Sequence, residues 1–600
     1  MSKKIMFVFI ILSLLISPLV YAQNPTPEPT FTDAETEEFR INYEKTNKIR
    51  TYRNYLDFIN RDTKALAKIK SPSETQIRKL SLLKHIKPIV QNEYQALQDR
   101  KGDIAFGMFE VLNSEGNMDN PYLSFPRSLF RKEYQFMPPK YIRRAIPWDA
   151  VQVEENGKIV NKQNIFNDLK KLQDNGYIIL PNIRANARWA IKNNKTTPSS
   201  GVCSGATKDM TEEWSNAHGY SKTYYDFISI IAKEFKGKFT GAVTIENEMN
   251  APQQTWCAGS SPEEYVKILL TAQKAFRDHD PKVLVSDGGL TGNAWFWLML
   301  EDKYQRATRI TGTSKREAEY NLIAKLASQQ IGKTMTLKNT VNHFSFLKRT
   351  KTVNGETVYN APAYMLGLKY IELAKKSNYS RAVNFHYYGH SEGLAYVIPY
   401  MRRELGSKVL VNNEMGTQFP ASSTFTEEDL AGEMLKKFAI MRGNNVLHPN
   451  WYTSPRFTIA EGGGVGVYHN GSFLSPKDYV SPRLQIIKGA NIIQKYLDRP
   501  TLSRDRSQKN KHFRYTFTGE NEIVNVIWGT ALYPFSGSCF VYSTLGEILY
   551  SPSGENGDTQ NLQLSSTMPY YEICANQSSA SPLFKPFSNL LPGLALLGLK

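Results

Sequence analysis

The sequence predicts an α/β protein built on a (β/α)8 barrel of the TIM type, with a helical N-terminal extension and a small C-terminal antiparallel β-sandwich domain. Eight short apolar runs alternate with amphipathic helical segments between residues 103 and 497. Such alternation is typical of parallel strands joined by crossover helices. Residues 31–100 are polar and helical in pattern, whereas beyond residue 500 the apolar residues recur at every second position. A period of two indicates antiparallel strands.

The length and composition fit more than one domain. The chain has 600 residues, of which 41% are hydrophobic, so two or three domains and a large core are expected. The predicted boundaries are residues 1–22 for a signal peptide, 23–100 for the helical extension, 101–500 for the barrel, 501–585 for the β domain and 586–600 for an apolar tail. The tail is about half a membrane span, which favours a flexible end over a sorting or anchoring signal.

The N-terminal residues have the pattern of a secretory signal. Two lysines precede an apolar run over residues 5–20, and Val-Tyr-Ala stands directly before a polar, proline-rich stretch. The run is shorter than the ~20 residues that a membrane-spanning helix needs. We therefore expect cleavage after Ala22, a secreted or periplasmic mature protein, and no stable insertion into a membrane.

The formal net charge of +18 predicts a surface that attracts anions. The basic residues are scattered, for example over residues 45–70, and do not form a block. This distribution favours an ordinary solvated surface. Because an exported protein rarely meets nucleic acid, no nucleic-acid partner is expected, and an acidic polysaccharide or an anionic cell surface remains the alternative partner.

The four cysteines are even in number, which permits disulfides in an exported protein. We predict the pair Cys203–Cys257, because both fall close together on the predicted barrel, and the pair Cys539–Cys574, because both lie in the C-terminal region. No CxxC motif and no Cys/His cluster with metal-ligand spacing occurs in the sequence. The sequence therefore predicts no metal site and no cofactor.

The eight predicted barrel strands are the apolar runs themselves. They are Ile104–Val111, Tyr141–Ile146, Tyr177–Ile183, Phe239–Ile245, Val283–Ser286, Ala382–His386, Val409–Asn412 and Asn445–His448. Two of the helices between them have clear start signals, an N-cap serine with a first-turn proline at 261–262 and an N-cap threonine with acidic residues at 426–429. Ser481-Pro482 predicts the start of a last helix that ends near Leu497. Residues 291–378 are too many for one crossover and predict an inserted helical subdomain.

The C-terminal domain is predicted from four runs of period two that are separated by turn residues. These runs are His512–Thr518, Glu522–Trp528, Cys539–Ser543 and Glu547–Ser551.

Two of the barrel runs lead directly into glutamates. The fourth run continues into Glu246-Asn247-Glu248, and the seventh continues into Asn413-Glu414. Because the active site of such a barrel lies at the C-terminal ends of its strands, both runs deliver a carboxylate to the same face. Hydrolysis of a glycosidic bond with retention needs two carboxyl groups roughly 5–5.5 Å apart.

One carboxyl group must protonate the leaving oxygen and the other must attack the anomeric carbon. The motif alone does not say which glutamate does which, because Asn-Glu-Met occurs at both 247–249 and 413–415. Asn247 is placed to hydrogen-bond the 2-hydroxyl of a sugar, an interaction that strengthens in the transition state. Glu246 is the rival of Glu248 and is interpreted as a salt-bridge partner at the strand end.

The order of these motifs resembles clan A of the glycoside hydrolases over residues 103–497. The resemblance implies a retaining enzyme with Glu248 in the acid/base motif and Glu414 as the nucleophile. It also implies that His386 and Tyr388 form the clan's His-x-Tyr motif, with the tyrosine hydrogen-bonded to the nucleophile. Arg143 resembles the arginine that keeps the nucleophile ionised; a surface or interhelical arginine is the alternative, and Arg144 competes for the role.

The aromatic residues extend this resemblance. Trp451 resembles the clan's sugar-stacking tryptophan, and Trp148, Trp189 and Trp256 also follow predicted strands, where each ring could stack on a sugar or pack in the core. His386 could likewise be a core histidine. Within the clan, residues 185–190 and the β domain resemble family 39, with families 5 and 30 close behind. Two departures leave the substrate open: Met249-Asn250 replaces the usual proline, and the segment between the fifth and sixth strands is long.

The sequence therefore predicts a secreted glycoside hydrolase that acts on a poly- or oligosaccharide. Two alternatives stay open at this point. One is a non-catalytic polysaccharide-binding protein on the same barrel, which the presence of both carboxylates disfavours. The other is a transglycosylase that uses the same residues.

Overall fold

The structure is a computed structural model, and it describes most of the chain between Phe31 and Ala575. The described residues are 31, 33–47, 52–98, 107–109, 141–152, 165–167, 169–170, 173, 178–192, 196–197, 201–210, 221–239, 241–251, 256, 261–291, 294–417, 426–451, 468–469, 481–482, 488–489, 491–497, 502–508, 511–519, 522–552 and 560–575. The predicted signal peptide and the apolar tail lie outside them.

The described N-terminal residues 31, 33–47 and 53–93 form a compact helical unit of their own. Its helices are α1 (Asp33–Asn47), α2 (Tyr52–Leu66) and α3 (Glu74–Gln98). Apolar side chains from α2 and α3, such as Ile59 and Leu83, are fully buried. The predicted helical extension is therefore confirmed.

The central region is a closed barrel of eight parallel strands, as the sequence predicts. In barrel order these are β1 (Gly107–Phe109), β2 (Tyr141–Pro147), β3 (Ile178–Arg184), β6 (Val243–Ile245), β7 (Val285–Asp287), β10 (Ala382–Tyr387), β11 (Val409–Met415) and β12 (Asn450–Trp451). Two short strands, β4 (Thr196–Thr197) and β5 (Gly201–Val202), form a separate hairpin. The barrel strands and the surrounding helices share one large apolar core, and Ala242, Ala382 and Val411 form a separate small apolar cluster.

The eighth barrel strand was predicted correctly only in part. Within the predicted run, Leu447 forms an isolated parallel bridge with Val411 of β11. The sequence indicates Asn445–His448, but the strand that closes the barrel is β12, which pairs with Gly107 and Met108 of β1. Asn445 and His448 both have φ of +53°. A left-handed backbone at these residues interrupts an extended strand, so the chain becomes regular only at Asn450.

Helices surround the barrel, and two of them begin at the caps that the sequence predicts. The helices described before β7 include α4 (Trp148–Val151), α5 (Lys222–Glu234) and α6 (Pro262–His279). Ser261 caps α6 in a capping box with Glu264. Beyond β10 come α11 (Ser391–Leu405) and α12 (Glu427–Gly443), and Thr426 caps α12 in the same way. These side chains accept backbone N–H groups that a helix start leaves without partners.

The long segment between the fifth and sixth barrel strands is largely helical. It contains α7 (Ala294–Ala307), α8 (Thr313–Ile331), α9 (Leu337–Lys348), the hairpin β8 (Thr350–Val353) and β9 (Glu356–Tyr359), and α10 (Pro362–Ala374).

The helix start predicted at Ser481-Pro482 is wrong. These residues form β14 (Ser481–Pro482), which pairs antiparallel with β13 (Tyr468–His469). Extended pairing of Ser481 and Pro482 excludes a helical first turn at this position. A π-helical turn, Ile493–Leu497, ends at the predicted residue.

The C-terminal domain is antiparallel, as predicted. One sheet has six strands in the order β15 (Leu502–Asp505), β16 (His512–Thr518), β17 (Glu522–Gly529), β22 (Tyr570–Ala575), β19 (Phe540–Tyr542) and β20 (Ile548–Tyr550), and a second sheet pairs β18 (Leu532–Phe535) with β21 (Gln560–Gln563). The predicted disulfide Cys539–Cys574 is present. Cys203 is also disulfide-bonded, but its predicted partner Cys257 lies outside the described residues.

The β domain contacts the barrel through α12. Ser503 of β15 donates a hydrogen bond to the Arg442 carbonyl, and Gly443 lies so close to the Tyr515 ring that a Cβ there would approach it to 2.2 Å. No helix within the described ranges is both long and apolar enough to cross a membrane.

Candidate active site

Two carboxylates meet at the C-terminal ends of the barrel strands. Glu248 follows β6, and Glu414 lies near the end of β11. Both side chains are buried, with 7% of each residue exposed. Carboxylate oxygens of the two residues lie within 4.8 Å of one another, with the His386 ring beside both. The structure thus brings together the two glutamates that the strand order selects.

An unusual backbone delivers Glu248 to this position. Glu246 has φ of +70° and Glu248 has φ of +45°, in the left-handed region that residues other than glycine rarely adopt. The turn is held by the Glu248 N–H, which donates to the Gly288 carbonyl at 3.2 Å, and by the Ala251 N–H, which donates to the Glu248 carbonyl at 2.9 Å. Strained backbone of this kind persists where the surroundings fix it, and it clusters at functional sites.

Asn250 anchors the same turn from its other end. Its amide donates to the carbonyls of Thr291 and Ala363 at 2.9 and 3.0 Å, and its Oδ1 accepts the Thr291 N–H at 2.8 Å. The residue that departs from the resembled clan motif therefore fastens the acid-bearing turn to the segment after β7.

Glu246 is set apart from the pair. It is fully buried, and its Oε1 accepts the backbone N–H of Ala185. Burial raises the pKa of Glu246, although the positive charge of Arg184 acts in the opposite direction. Its contacts belong to the strand-end backbone, so they fix the turn that bears Glu248.

Glu414 has the surroundings of an ionised carboxylate. Arg143 forms a buried ion pair with its Oε2, and the Tyr388 hydroxyl donates to its Oε1 at 2.5 Å. Burial alone would raise the pKa of Glu414, but the charges of His386 and Arg143 and the hydrogen bonds from Tyr388 and Arg143 outweigh it. The net pKa is lowered. Arg143 also donates to the Oδ1 of Asn247, which places this side chain next to the same carboxylate.

For the glycosidase activity that the clan A resemblance implies, replacing Arg143 with methionine should move the acidic limb of the kcat/KM profile to higher pH, by about one unit or more. The reason is that Glu414 loses a positive neighbour, so its carboxylate binds a proton at a higher pH. The pH dependence of kcat/KM on an activated aryl glycoside measures this shift. Arg144→Met is the matched control, because Arg144 is also buried and adjacent in the chain. An unmoved limb in Arg143→Met, or an equal shift in the control, contradicts the assignment.

His386 joins the two carboxylates. Its Nδ1 lies 2.8 Å from Glu248 Oε1 and 3.7 Å from Glu414 Oε2. Its Nε2 lies 3.0 Å from Asn413 Oδ1. Register explains the position, because His386 of β10 pairs directly with Glu414 of β11. The side chain is therefore part of the site and not a core histidine.

The neighbouring amides determine which nitrogen of His386 carries a proton. The Asn413 backbone N–H donates to Asn384 Oδ1 at 3.1 Å, which fixes the orientation of that amide. The Nδ2 of Asn384 consequently donates to Asn413 Oδ1 at 2.7 Å. The oxygen of an amide carries no hydrogen and can only accept, so His386 Nε2 must be the donor in its contact with Asn413 Oδ1. The Nδ1 of His386 then faces Glu248 either as an acceptor from a protonated carboxyl or as part of an imidazolium beside a carboxylate.

Asp287, at the end of β7, supports this network from below. Its Oδ1 accepts the Asn384 N–H at 2.7 Å and its Oδ2 accepts the Tyr379 hydroxyl at 2.9 Å. Burial raises the pKa of Asp287 to about 6. Gly289 follows with φ of +74°, and a Cβ there would lie 2.8 Å from His386 Nε2, so only glycine fits against the ring.

Two of the predicted sugar-binding tryptophans are corrected. Trp148 is fully buried, stacks on Phe227 with ring centroids 5.1 Å apart, and donates to Gln152. Trp451 is also fully buried, and the ammonium of Lys437 on α12 lies 5.7 Å from its ring centroid. Both rings pack in the layer between strands and helices, so neither offers a face to a sugar.

The other two tryptophans differ in exposure. Trp189 is half-buried and donates to the Gln152 carbonyl at 3.2 Å, and its role in substrate binding stays a prediction. Trp256 is buried against the Tyr265 ring.

Sequence reasoning missed the amide and carboxyl groups that lie behind the carboxylates. They are the carboxyl of Asp287 and the amides of Asn384 and Asn413, together with the hydroxyl of Thr244. A signal was present, since each is a polar residue within or at the end of an apolar strand run. Periodicity alone does not say which of these side chains meet.

The three side chains Glu248, His386 and Glu414 are also a set of ligand types that could hold a metal ion. Their surroundings disfavour a cation, because Arg143 already neutralises Glu414 at close range. The other described set, Cys539, Glu572 and Cys574, contains the two sulfurs of the disulfide.

Comparisons with known proteins find similarity in structure. No protein-family model and no curated relative matches the sequence. A family 39 glycoside hydrolase from Bacteroides cellulosilyticus WH2 matches with 12% identity and a TM-score of 0.46, over 79% of this chain and 81% of that chain. A family 39 enzyme from Xanthomonas axonopodis pv. citri matches with 10% identity and a TM-score of 0.41, over 79% and 94%.

A family 30 subfamily 8 xylanase, Xyn30A, from Clostridium acetobutylicum matches with 12% identity and a TM-score of 0.40, over 78% of this chain and 96% of that chain. By their own descriptions, these three solved structures belong to families 39 and 30 of the glycoside hydrolases. Because every identity is low and every TM-score is below 0.5, the chemistry is inferred from the site itself.

Proposed function

We propose that this protein is an exported, retaining glycoside hydrolase that cleaves a poly- or oligosaccharide, with Glu414 as nucleophile and Glu248 as general acid/base. The observation that carries the proposal is the separation of the two carboxylates, whose oxygens lie within 4.8 Å at the open end of the barrel. Retaining enzymes hold these groups about 5–5.5 Å apart, whereas inverting enzymes need roughly 6.5–9.5 Å to admit a water. The short separation favours retention.

The different surroundings of the two glutamates support their roles. Arg143 and Tyr388 stabilise charge on Glu414, which suits a nucleophile that must be ionised before it attacks. Glu248 instead contacts His386, and the hydrogen-bond directions give this pair one proton to share. A proton held at Glu248 suits a general acid.

The reaction then proceeds in two displacements. A carboxylate oxygen of Glu414 bonds to the anomeric carbon while the bond from that carbon to the leaving oxygen breaks, and Glu248 gives its proton to the leaving oxygen. Glu248, now a carboxylate, takes a proton from water, and the water oxygen displaces Glu414 from the anomeric carbon. Each displacement inverts the carbon, so the product keeps the configuration of the substrate.

Asn247 is placed to bind the substrate beside the nucleophile. Arg143 contacts both the Oδ1 of Asn247 and the carboxylate of Glu414, so the amide is held next to the attacking group. A hydrogen bond from this amide to the sugar 2-hydroxyl would strengthen in the transition state, where the ring gains positive charge.

Export and an anionic substrate complete the proposal. The N-terminal pattern over residues 1–22 supports cleavage after Ala22, and the disulfide Cys539–Cys574 suits an oxidising compartment. The net charge of +18 supports an acidic polysaccharide as one class of substrate.

The test is a screen of the purified protein against aryl β-glycosides and exopolysaccharides, both neutral and acidic. The control is the double variant Glu248→Gln/Glu414→Gln, which keeps side-chain size and removes both carboxylates. We expect the wild-type protein to release product from at least one substrate and the double variant to release none. Binding of polysaccharide without any turnover by the folded wild-type protein would instead indicate a non-catalytic carbohydrate-binding protein.

A further inference from the structure

Helix α12 carries three charged residues on a face that is buried. Glu433, Lys436 and Lys437 have 4%, 4% and 0% of their surfaces exposed. Charged side chains are almost never so deeply buried unless they are paired. The proposed reaction uses none of them, so their contacts need another explanation.

Glu433 reaches the loop that follows the sixth barrel strand. Its two oxygens accept the backbone N–H and the hydroxyl of Ser391, at 2.8 and 2.7 Å, and it forms an ion pair with Lys436. Ser391 is the first residue of α11, and Tyr388 lies three residues before it. Glu433 therefore fixes the end of the short loop that carries the Tyr388 hydroxyl to Glu414.

Lys437 reaches the loop that follows the seventh barrel strand. Its ammonium donates to the Gly416 carbonyl and to the Thr417 hydroxyl, each at 2.6 Å. These residues come two and three positions after Glu414. The ammonium also lies 5.8 Å from the Tyr387 ring centroid and 5.7 Å from that of Trp451, which enclose it.

A backbone hydrogen bond joins the two loops directly. The Gly416 N–H donates to the Tyr387 carbonyl at 3.1 Å. The ammonium of Lys437 donates to the carbonyl of the same Gly416. The segment after Glu414 is thus held between β10 and α12, and a small shift of this segment would move the nucleophile.

We propose that Glu433 and Lys437 are positioning residues that clamp the loops after the sixth and seventh barrel strands and so hold Tyr388 and Glu414 at hydrogen-bonding distance. This inference rests on the proposed function, because it assigns the clamp to the nucleophile of that reaction. The hydrogen bonds and ion pair described for these two side chains go to the two loops and to Lys436, and none goes to Glu248 or Glu414.

The opposite buried charges of the clamp stabilise one another. Burial lowers the pKa of Lys437 to about 7, and the charge of Glu433 opposes this effect while that of Lys436 adds to it. Burial would raise the pKa of Glu433, but the charges of Lys436, Lys437 and His390 outweigh it and lower the pKa. A buried set of charged side chains costs desolvation energy, and the position of this set next to the two loops favours a role in fixing their geometry.

The C-terminal domain supports the clamp from behind. Lys436 donates to the Ser566 carbonyl at 3.2 Å, and Gly432 lies so close to the Thr567 carbonyl that a Cβ there would approach it to 2.6 Å. The β domain thus packs against the turn of α12 that bears Glu433 and Lys436.

The test compares Lys437→Met with Lys369→Met, an exposed lysine of α10. Methionine keeps most of the length and volume of lysine but donates no hydrogen bond. In Lys437→Met we expect amide hydrogen exchange in peptides covering residues 409–417 to accelerate by about tenfold or more. On an activated aryl glycoside we expect kcat to fall about 10–100-fold with a much smaller change in KM. The reason is that a displacement of the nucleophile by about 1 Å lowers the rate of the chemical step by such a factor. The control should match the wild-type protein in both measurements.

A positioning role also predicts a readout that general loss of packing would not produce. If the Tyr388–Glu414 contact loosens, the acidic limb of the kcat/KM profile moves to higher pH. If Lys437→Met folds poorly, Thr417→Val, which removes one acceptor of the ammonium, gives the same comparison. In a double-mutant cycle, the effect of Thr417→Val should shrink in the Lys437→Met background.

The outcomes separate the clamp from the reaction. Hydrogen exchange needs no substrate, so unchanged exchange over residues 409–417 overturns the clamp whatever the enzyme cleaves. A variant with accelerated exchange but wild-type kcat and pH profile also overturns it. Loss of the reaction itself would appear as an inactive wild-type protein, and accelerated exchange would then still support the clamp on those loops.

Discussion

Replacing Glu414 with alanine should lower turnover by on the order of 10⁴-fold or more, because the first displacement loses its nucleophile. The measurement is kcat on an aryl glycoside with a good leaving group, for which protonation by Glu248 matters least. Glu246→Gln serves as the matched control, since Glu246 is a second buried carboxylate on the same turn as Glu248. It should retain activity within about tenfold, because glutamine keeps an oxygen that can accept the Ala185 N–H.

Azide distinguishes this role from a general loss of structure. In Glu414→Ala a small anion can enter the vacated space and attack the anomeric carbon directly. One displacement inverts the carbon, so the glycosyl azide should have the configuration opposite to that of the substrate. Recovery of activity with an inverted product supports Glu414 as the nucleophile, whereas near-normal activity without azide rules the assignment out.

Replacing Glu248 with alanine should have the second largest effect, and its size should depend on the leaving group. For a leaving group that needs protonation we expect a loss of about 10²–10⁴-fold, the usual contribution of a general acid. For a dinitrophenyl glycoside the first step needs little protonation, so the glycosyl-enzyme should form and then persist, because no base activates water. The measurement is a burst of dinitrophenol followed by a slow steady state.

Azide gives the opposite stereochemical result in this variant. It attacks the glycosyl-enzyme on Glu414 and needs no base, so the rate should recover. Two displacements then yield a glycosyl azide with the configuration of the substrate. An equal loss on all leaving groups, with no burst, would mean that Glu248 is not the acid/base residue.

The barrel and the meeting of its carboxylates could be predicted from the sequence for a simple reason. Alternation of strands and helices determines the topology, and in a closed parallel barrel every strand ends at the same face. Glu248 and Glu414 each stand directly after an apolar run, so their proximity follows from strand order. The contact between Tyr388 and Glu414 does not follow from strand order. It was predicted from the resemblance to clan A.

Other features depend on backbone and packing that composition does not reveal. The left-handed conformations of Asn445 and His448 displace the eighth strand, and both residue types are common in strand ends and turns alike. The two-residue strand β12 then turns Trp451 towards Lys437 and α12. A stretch this short has too little periodicity to tell which face a side chain takes.

The polar network around the carboxylates could not be predicted from the sequence for a related reason. Asn384, Asn413 and Asp287 lie within strands that read as apolar, and only register between neighbouring strands brings them to His386. The buried charges of α12 left a clearer trace, because Glu433 and Lys437 interrupt an apolar helix face. That irregularity indicates a special position but not the loop that each side chain binds.

The stereochemistry of the first product tests the central claim most directly. Proton NMR of the hydrolysis of an aryl glycoside, recorded before the released sugar mutarotates, shows which anomer forms first. Two displacements at Glu414 predict a first product with the configuration of the substrate. A first product of opposite configuration would require direct attack by water, and it would contradict a nucleophilic role for Glu414.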